Sequence, residues 1–241
     1  MTLDSTNIIE ETNRSGAPQI GFIKRVQAGK KLGVFASSFN PPTLAHVELI
    51  RRAANTFALD EILALAGSAN ADKMAYECSL NDRLAMLSLT FAAEPRVSVG
   101  LSSHAFYVDM IDGLERAYPG GADLHFIVGF DTFERVLDAE HRYTERYHRK
   151  FAGRTGALNY LFAHSRLIVA RRAGEGLSSV MHLVEHEASV PRDRVLYLDF
   201  PADLGDLSAT EARKRCREGK PLHDIVPSPV EDYIREHALY T

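Results

Sequence analysis

The stretch Leu32-Gly33-Val34-Phe35-Ala36-Ser37-Ser38-Phe39-Asn40-Pro41-Pro42-Thr43-Leu44-Ala45-His46 decides the fold. Its apolar start, Leu32 to Ala36, reads as a short buried strand. A turn of small residues with two prolines follows, and an apolar-periodic segment from Leu44 to Phe57 then reads as a helix. His46 falls in the first turn of that helix, beside backbone N–H groups that have no partner within the helix. Unpaired N–H groups, the positive end of the helix dipole and an imidazole together suit an anion, phosphate above all. The spacing is neither Gly-x-x-x-x-Gly-Lys nor Gly-x-Gly-x-x-Gly, so a Walker loop and a dinucleotide fingerprint are both excluded.

Working outward, strand-like and helix-like segments alternate. Glu61 to Ala66 reads as a strand, and Gly67 to Cys78 as a polar loop. Ser79 with Asp82 reads as a cap for a helix running to about Ala93. Arg96 to Leu101 is a strand, and Phe106 to Ala117 a helix stopped by Pro119-Gly120-Gly121. Leu124 to Val128, Arg166 to Ala170 and Val195 to Leu198 are further strands, and Ser228-Pro229-Val230-Glu231 opens a last helix with Ser228 as cap. The pattern predicts an α/β fold: a Rossmann-like, doubly wound parallel sheet with helices on both faces and a small C-terminal helical segment. Residues 1–20 read as a flexible leader, with a short helix expected over 21–31. Residues 21–241 read as a single domain with an insertion near 138–164, taken as a partly helical flap. In such sheets ligands bind beyond the carboxyl ends of the strands. That edge would carry the first motif, Gly129-Phe130-Asp131 and a later segment, Leu207 to Arg213.

A second motif, Leu207-Ser208-Ala209-Thr210-Glu211-Ala212-Arg213, lies about 160 residues further on. Ser208 and Glu211 have capping-box spacing, which puts Thr210 and Arg213 in the first turns of a helix. The first motif resembles the (His/Thr)-x-Gly-His signature of the nucleotidyltransferase superfamily, in the Ser-Phe-Asn-Pro form of the pyridine-nucleotide adenylyltransferases. The second resembles that family's Ile-Ser-Ser-Thr-x-x-Arg motif. Asp82-Arg83-Leu84-Ala85-Met86 is similar to its Arg-x-x-Met helix, Phe126 to Asp131 to its Gly-x-Asp loop, and Gly219 to Pro227 with Val230 and Tyr233-Ile234 to its closing segment. The resemblance runs from about Lys31 to Tyr240. Three departures stand out: Ser37 where the family usually has Gly, Ala45 in place of the signature Gly, and no tryptophan to stack on a pyridine ring.

The resemblance implies an enzyme that transfers the adenylyl group of ATP to nicotinamide or nicotinate mononucleotide, yielding NAD or deamido-NAD and pyrophosphate. His46 and Arg213 would be catalytic. Ser38, Phe39, Thr43, Lys73, Ser208 and Thr210 would bind the ATP phosphates, and Gly129 and Asp131 the nucleotide. The attacking phosphate is already ionised, so positioning and charge neutralisation suffice. Magnesium would come with the triphosphate, and no residue is expected as a metal ligand. Tyr143, Tyr147 or Phe106 could take the place of the missing tryptophan. The alternatives are another phosphorylated acceptor or CTP, or a nucleotide-binding relative without turnover.

Composition agrees with this and narrows it. The 241 residues are 45% hydrophobic and 25% charged, with a formal net charge of −4, which argues against a general nucleic-acid surface. Cys78 and Cys216 form no disulfide or zinc spacing. No apolar run approaches a membrane span and no signal-peptide core is present, so a cytoplasmic enzyme, without a nucleic-acid or membrane partner, is expected. A homo-oligomer stays compatible with the sequence. His182-Leu183-Val184-Glu185-His186 matches an inverted zinc-protease pattern but has no evident third ligand, and is read as a structural surface helix.

Overall fold

The structure, a computed structural model, describes residues 5–26, 29–67, 77–138, 142, 150–172, 177–187, 189–201, 204 and 207–241. Strand β2 (Lys31–Ser37) is the apolar run that opens the first motif, and helix α2 (Leu44–Thr56) follows its turn. The chain then alternates through β3 (Glu61–Gly67), α3 (Leu80–Thr90), β4 (Val97–Ser102), α4 (Tyr107–Ala117), β5 (Asp123–Gly129) and α5 (Phe130–Leu137). Helix α6 (Gly153–His164), β6 (Ser165–Arg172), α7 (Leu177–His186) and β7 (Val195–Phe200) complete the sheet. Helices α8 (Ala209–Arg217) and α9 (Ser228–Glu236) close the chain.

The seven strands lie in the order β1-β4-β3-β2-β5-β6-β7, where β1 is Ile20–Lys24. All pairs are parallel except β1 with β4. The order reverses between β2 and β5, which is the switch point of a doubly wound sheet. Those two strands are in register from Lys31↔Asp123 to Val34↔Phe126. Beyond Val34 their paired register stops, so a crevice opens at their carboxyl ends.

Alternation in the strands feeds two apolar layers. Leu32, Val34, Phe126 and Val128 pack toward α4 and α6, while Phe35, Ala64 and Ile127 pack toward α2 and α3. A third cluster joins Ala85 and Met86 of α3, Ala212 of α8 and Ile225, Val230, Tyr233 and Tyr240 of the C-terminal segment. That cluster fastens the end of the chain beside the first motif.

Three expectations are corrected here. Residues 1–20, read as a flexible leader, hold helix α1 (Thr6–Arg14), anchored where buried Ser5 Oγ donates to Asn81 Oδ1 at 2.8 Å. The helix expected over 21–31 is instead strand β1, which covers the free edge of β4. A side chain at Gly21 would place Cβ 2.2 Å from Thr12 Oγ1, so only glycine lets α1 lie this close to the strand. Of the stretch 138–164, read as an insertion or partly helical flap, Gly153–His164 is a helix with Leu158, Leu161 and Phe162 buried in the core, while 139–141 and 143–149 lie outside the described residues. Finally, Ser228 is the first residue of α9 rather than its cap. Glu231 Oε1 accepts from the Leu222 N–H at 2.9 Å.

Candidate active site

Helix α2 begins at the carboxyl end of β2, and its first turn is built around His46. Thr43 is the N-cap and is fully buried. Its N–H donates to His46 Nδ1 at 2.9 Å, its hydroxyl lies 2.9 Å from the same nitrogen, and it also accepts from the His46 N–H. This is a capping box in which histidine stands at the position usually held by Glu or Gln. The imidazole rests on two rings, with centroids 5.7 Å from Phe35 and 5.2 Å from Phe39.

The hydrogen bond fixes the chemistry of the ring. Because Nδ1 accepts from a backbone N–H, the proton of the neutral imidazole sits on Nε2, so Nε2–H is a donor at neutral pH. Burial also pushes the His46 pKa down from 6.5 to about 4. Ring NMR should therefore find a neutral Nε2–H tautomer throughout pH 5–8. The depressed value also has a consequence for stability. The unfolded chain takes up this proton near 6.5, whereas the folded chain resists it until about 4. The unfolded state thus binds more protons across that window, and His46's share of stability is lost as pH falls through it. A His46 signal titrating above 6 would contradict this geometry.

The free N–H groups expected at the start of α2 are partly consumed. The Leu44 N–H donates to the Ile225 carbonyl at 2.8 Å and the His46 N–H to Thr43, so the helix end offers an anion less than the bare sequence implied. Phe39 stands in the loop between β2 and α2. Its side chain is fully buried, and its φ of 45° turns the backbone sharply at the loop. Any phosphate contact there belongs to main chain, not to the ring.

The second motif folds against the first. Ser208 caps α8, accepting from the Glu211 N–H at 3.1 Å. Arg213 then reaches back across 173 residues, and its Nη1 donates to the Asn40 carbonyl at 2.7 Å. Its Nη2 donates to Thr210 Oγ1 at 3.3 Å and its Nε to Glu77 Oε1 at 3.0 Å. Asn40 is held a second time, where the Tyr240 hydroxyl donates to its Oδ1 at 2.7 Å. The two motifs therefore share one loop, gripped by α8 and by the C-terminal segment.

Arg83, part of a motif read from the sequence, is a buried tie between two strand ends. It is 1% exposed; its Nη1 donates to the Ser38 carbonyl at 2.9 Å and its Nη2 to the Gly67 carbonyl at 3.2 Å. One guanidinium thus ties together the chain ends leaving β2 and β3. Gly129 caps α5 at the end of β5 with open space where a side chain would stand, and Asp131, in the first turn of α5, is exposed. Both border the switch-point crevice, on the β5 side. Lys73, Tyr143 and Tyr147 lie outside the described residues. Among the described residues no group of three or more His, Cys, Asp or Glu could hold a metal ion, and no helix is long and apolar enough to cross a membrane. His182 and His186 stack at 4.0 Å on the outer face of α7.

A doubly wound sheet carrying a histidine at one helix start and an arginine at another, joined through one loop at the switch point, defines a nucleotidyltransferase. The cytidylyltransferase-like family matches residues 34–215, and this chain belongs to it. Among similar proteins is the "Probable nicotinate-nucleotide adenylyltransferase" of Gemmatimonas aurantiaca, 27% identical over 229 residues, spanning 87% of this chain and 92% of the relative. The protein of the same name from Geobacter sulfurreducens is 26% identical, spanning 87% of this chain and 98% of its own. The solved structure of Plasmodium falciparum nicotinic acid mononucleotide adenylyltransferase complexed with NaAD aligns with a TM-score of 0.64 at 17% identity, covering 88% of this chain and 98% of that one. At that identity it shows the shared fold.

Proposed function

We propose that this protein transfers the adenylyl group of ATP to a pyridine mononucleotide, forming deamido-NAD or NAD and releasing pyrophosphate. The observation that carries the reading is the Arg213–Asn40 bond, which sets the guanidinium beside the loop that presents His46. The names of the relatives support nicotinate mononucleotide as the first acceptor to test.

In this reading the mononucleotide phosphate attacks the α-phosphorus of ATP in line with the departing pyrophosphate, and no covalent intermediate forms. His46 Nε2–H donates to the α- and β-phosphate oxygens, where charge builds as the bond to pyrophosphate breaks. Thr43 acts through His46, holding its tautomer, rather than on phosphate. Arg213 clamps the β,γ end, with the Ser38 and Thr210 hydroxyls as further donors, Ser208 capping α8 beneath them, and Lys73 as a second point charge. Gly129 leaves room for the nucleotide at the crevice, and Asp131 accepts from its hydroxyls. Magnesium arriving with the triphosphate would supply charge neutralisation at the phosphates; we assign it no ligand from this chain. A cytoplasmic location belongs to the same reading.

Pyrophosphate release should be measured with ATP or CTP against nicotinate mononucleotide, nicotinamide mononucleotide and non-pyridine phosphorylated acceptors. Release that needs ATP and a pyridine mononucleotide is expected. Release only with CTP or another acceptor, or none with any pair, overturns the assignment.

A further inference from the structure

Glu77 bridges two arginines. Its Oε1 accepts from Arg213 Nε at 3.0 Å and its Oε2 from Arg217 Nη1 at 2.8 Å. Arg213 and Arg217 are four apart on α8 and so share one face. Arg215, on the same helix, is committed elsewhere, to Asp224 at 2.7 Å and Glu211 at 3.3 Å. The Nε edge of Arg213 is one that an arginine offers to a two-oxygen anion, and Glu77 occupies it while Asn40 and Thr210 hold the two terminal nitrogens.

We propose that Glu77 keeps the place of a phosphate group, and that Arg217 is a further phosphate-binding residue which, with Arg213, receives the terminal phosphates of ATP when Glu77 is displaced. This rests on the adenylyl-transfer reading above. A carboxylate and a phosphate present the same pair of oxygens to a guanidinium, so the arrangement that suits Glu77 suits the ligand. Two guanidiniums facing one point repel each other, and the carboxylate offsets that repulsion until a stronger anion arrives. A triphosphate brings several charges where Glu77 brings one. Glu77 and Arg217 are each about half exposed, at 47% and 49%, and exposed ion pairs are weak, so displacement costs little.

Binding of ATP and of inorganic pyrophosphate should be measured by calorimetry on the parent protein, Arg217→Ala, Glu77→Gln and the double variant. Arg217→Ala should weaken both ligands about tenfold, the scale of one hydrogen bond to a charged group, and leave the mononucleotide KM unchanged. Glu77→Gln should tighten ATP about two- to fivefold, as loss of an exposed competing ion pair allows. That gain should vanish in the double variant. Arg217→Ala binding both ligands within twofold of the parent overturns the proposal, as does weaker ATP binding by Glu77→Gln, which would make Glu77 an organiser of the arginines. If the parent protein binds ATP and pyrophosphate but makes no dinucleotide, the adenylyl-transfer reading fails instead.

Discussion

Replacing His46 by alanine should lower turnover about 10²–10³-fold in a protein that still folds, the scale of losing one preorganised donor at developing charge. The substitution removes two things at once. Nδ1 closes the capping box with Thr43, which leaves Nε2–H as the donor of the neutral ring. Loss of a cap costs about 0.5–2 kcal/mol, which should appear as a modest drop in thermal midpoint. Asparagine separates the two contributions. Its Oδ1 occupies the place of Nδ1 and can accept the Thr43 N–H, but nothing replaces Nε2. His46→Asn should therefore melt near the parent and turn over as poorly as alanine. Pyrophosphate release and thermal melts on the three proteins measure both quantities. Turnover within threefold of the parent in either variant would remove His46 from the chemistry and leave it a cap.

The sequence made the parallel part of the sheet legible because its strands are buried on both faces. Leu32 to Ala36, Leu124 to Val128 and Arg166 to Ala170 are continuous or nearly continuous apolar runs, and the structure has strands at each. Strand β1 gave no such signal. It is a five-residue edge strand whose residues are all only partly buried, so neither alternation nor a buried run marks it. Helix α1 was hidden for a related reason, since Ile8 and Ile9 are only partly buried and its one buried residue is the polar Thr12. Ser208 was readable as a cap because its box is the usual Ser-x-x-Glu. The box at Thr43 was not, because a histidine closes it. What lay furthest from view was pairing over long separations. Arg83 with the Ser38 and Gly67 carbonyls, Arg213 with Asn40, and Glu77 with Arg213 and Arg217 of α8 follow from how the sheet is wound, and no local pattern encodes them.

Arg213→Lys should impair catalysis nearly as much as removal of the side chain, because charge alone is not what this position supplies. The guanidinium makes three bonds in three directions: to the Asn40 carbonyl, the Thr210 hydroxyl and the carboxylate of Glu77. A lysine ammonium is a compact point charge on a flexible stem and cannot hold a loop carbonyl and a phosphate in one plane. A loss of about a hundredfold in kcat/KM for ATP is expected, on the scale of one misplaced group at the reacting phosphates. The KM for the mononucleotide should move little, since Gly129 and Asp131 lie on the β5 side of the crevice, apart from α8. Arg213 is also a structural tie to the first motif, so a general loosening has to be told from a lost clamp. Loosening would lower the thermal midpoint and raise both KM values together. A lost clamp raises the KM for ATP, lowers kcat and leaves the ring NMR signal of His46 in its neutral tautomer. Parent-like ATP affinity and rate in Arg213→Lys would return this residue to a surface role and leave the phosphate site to α2 alone.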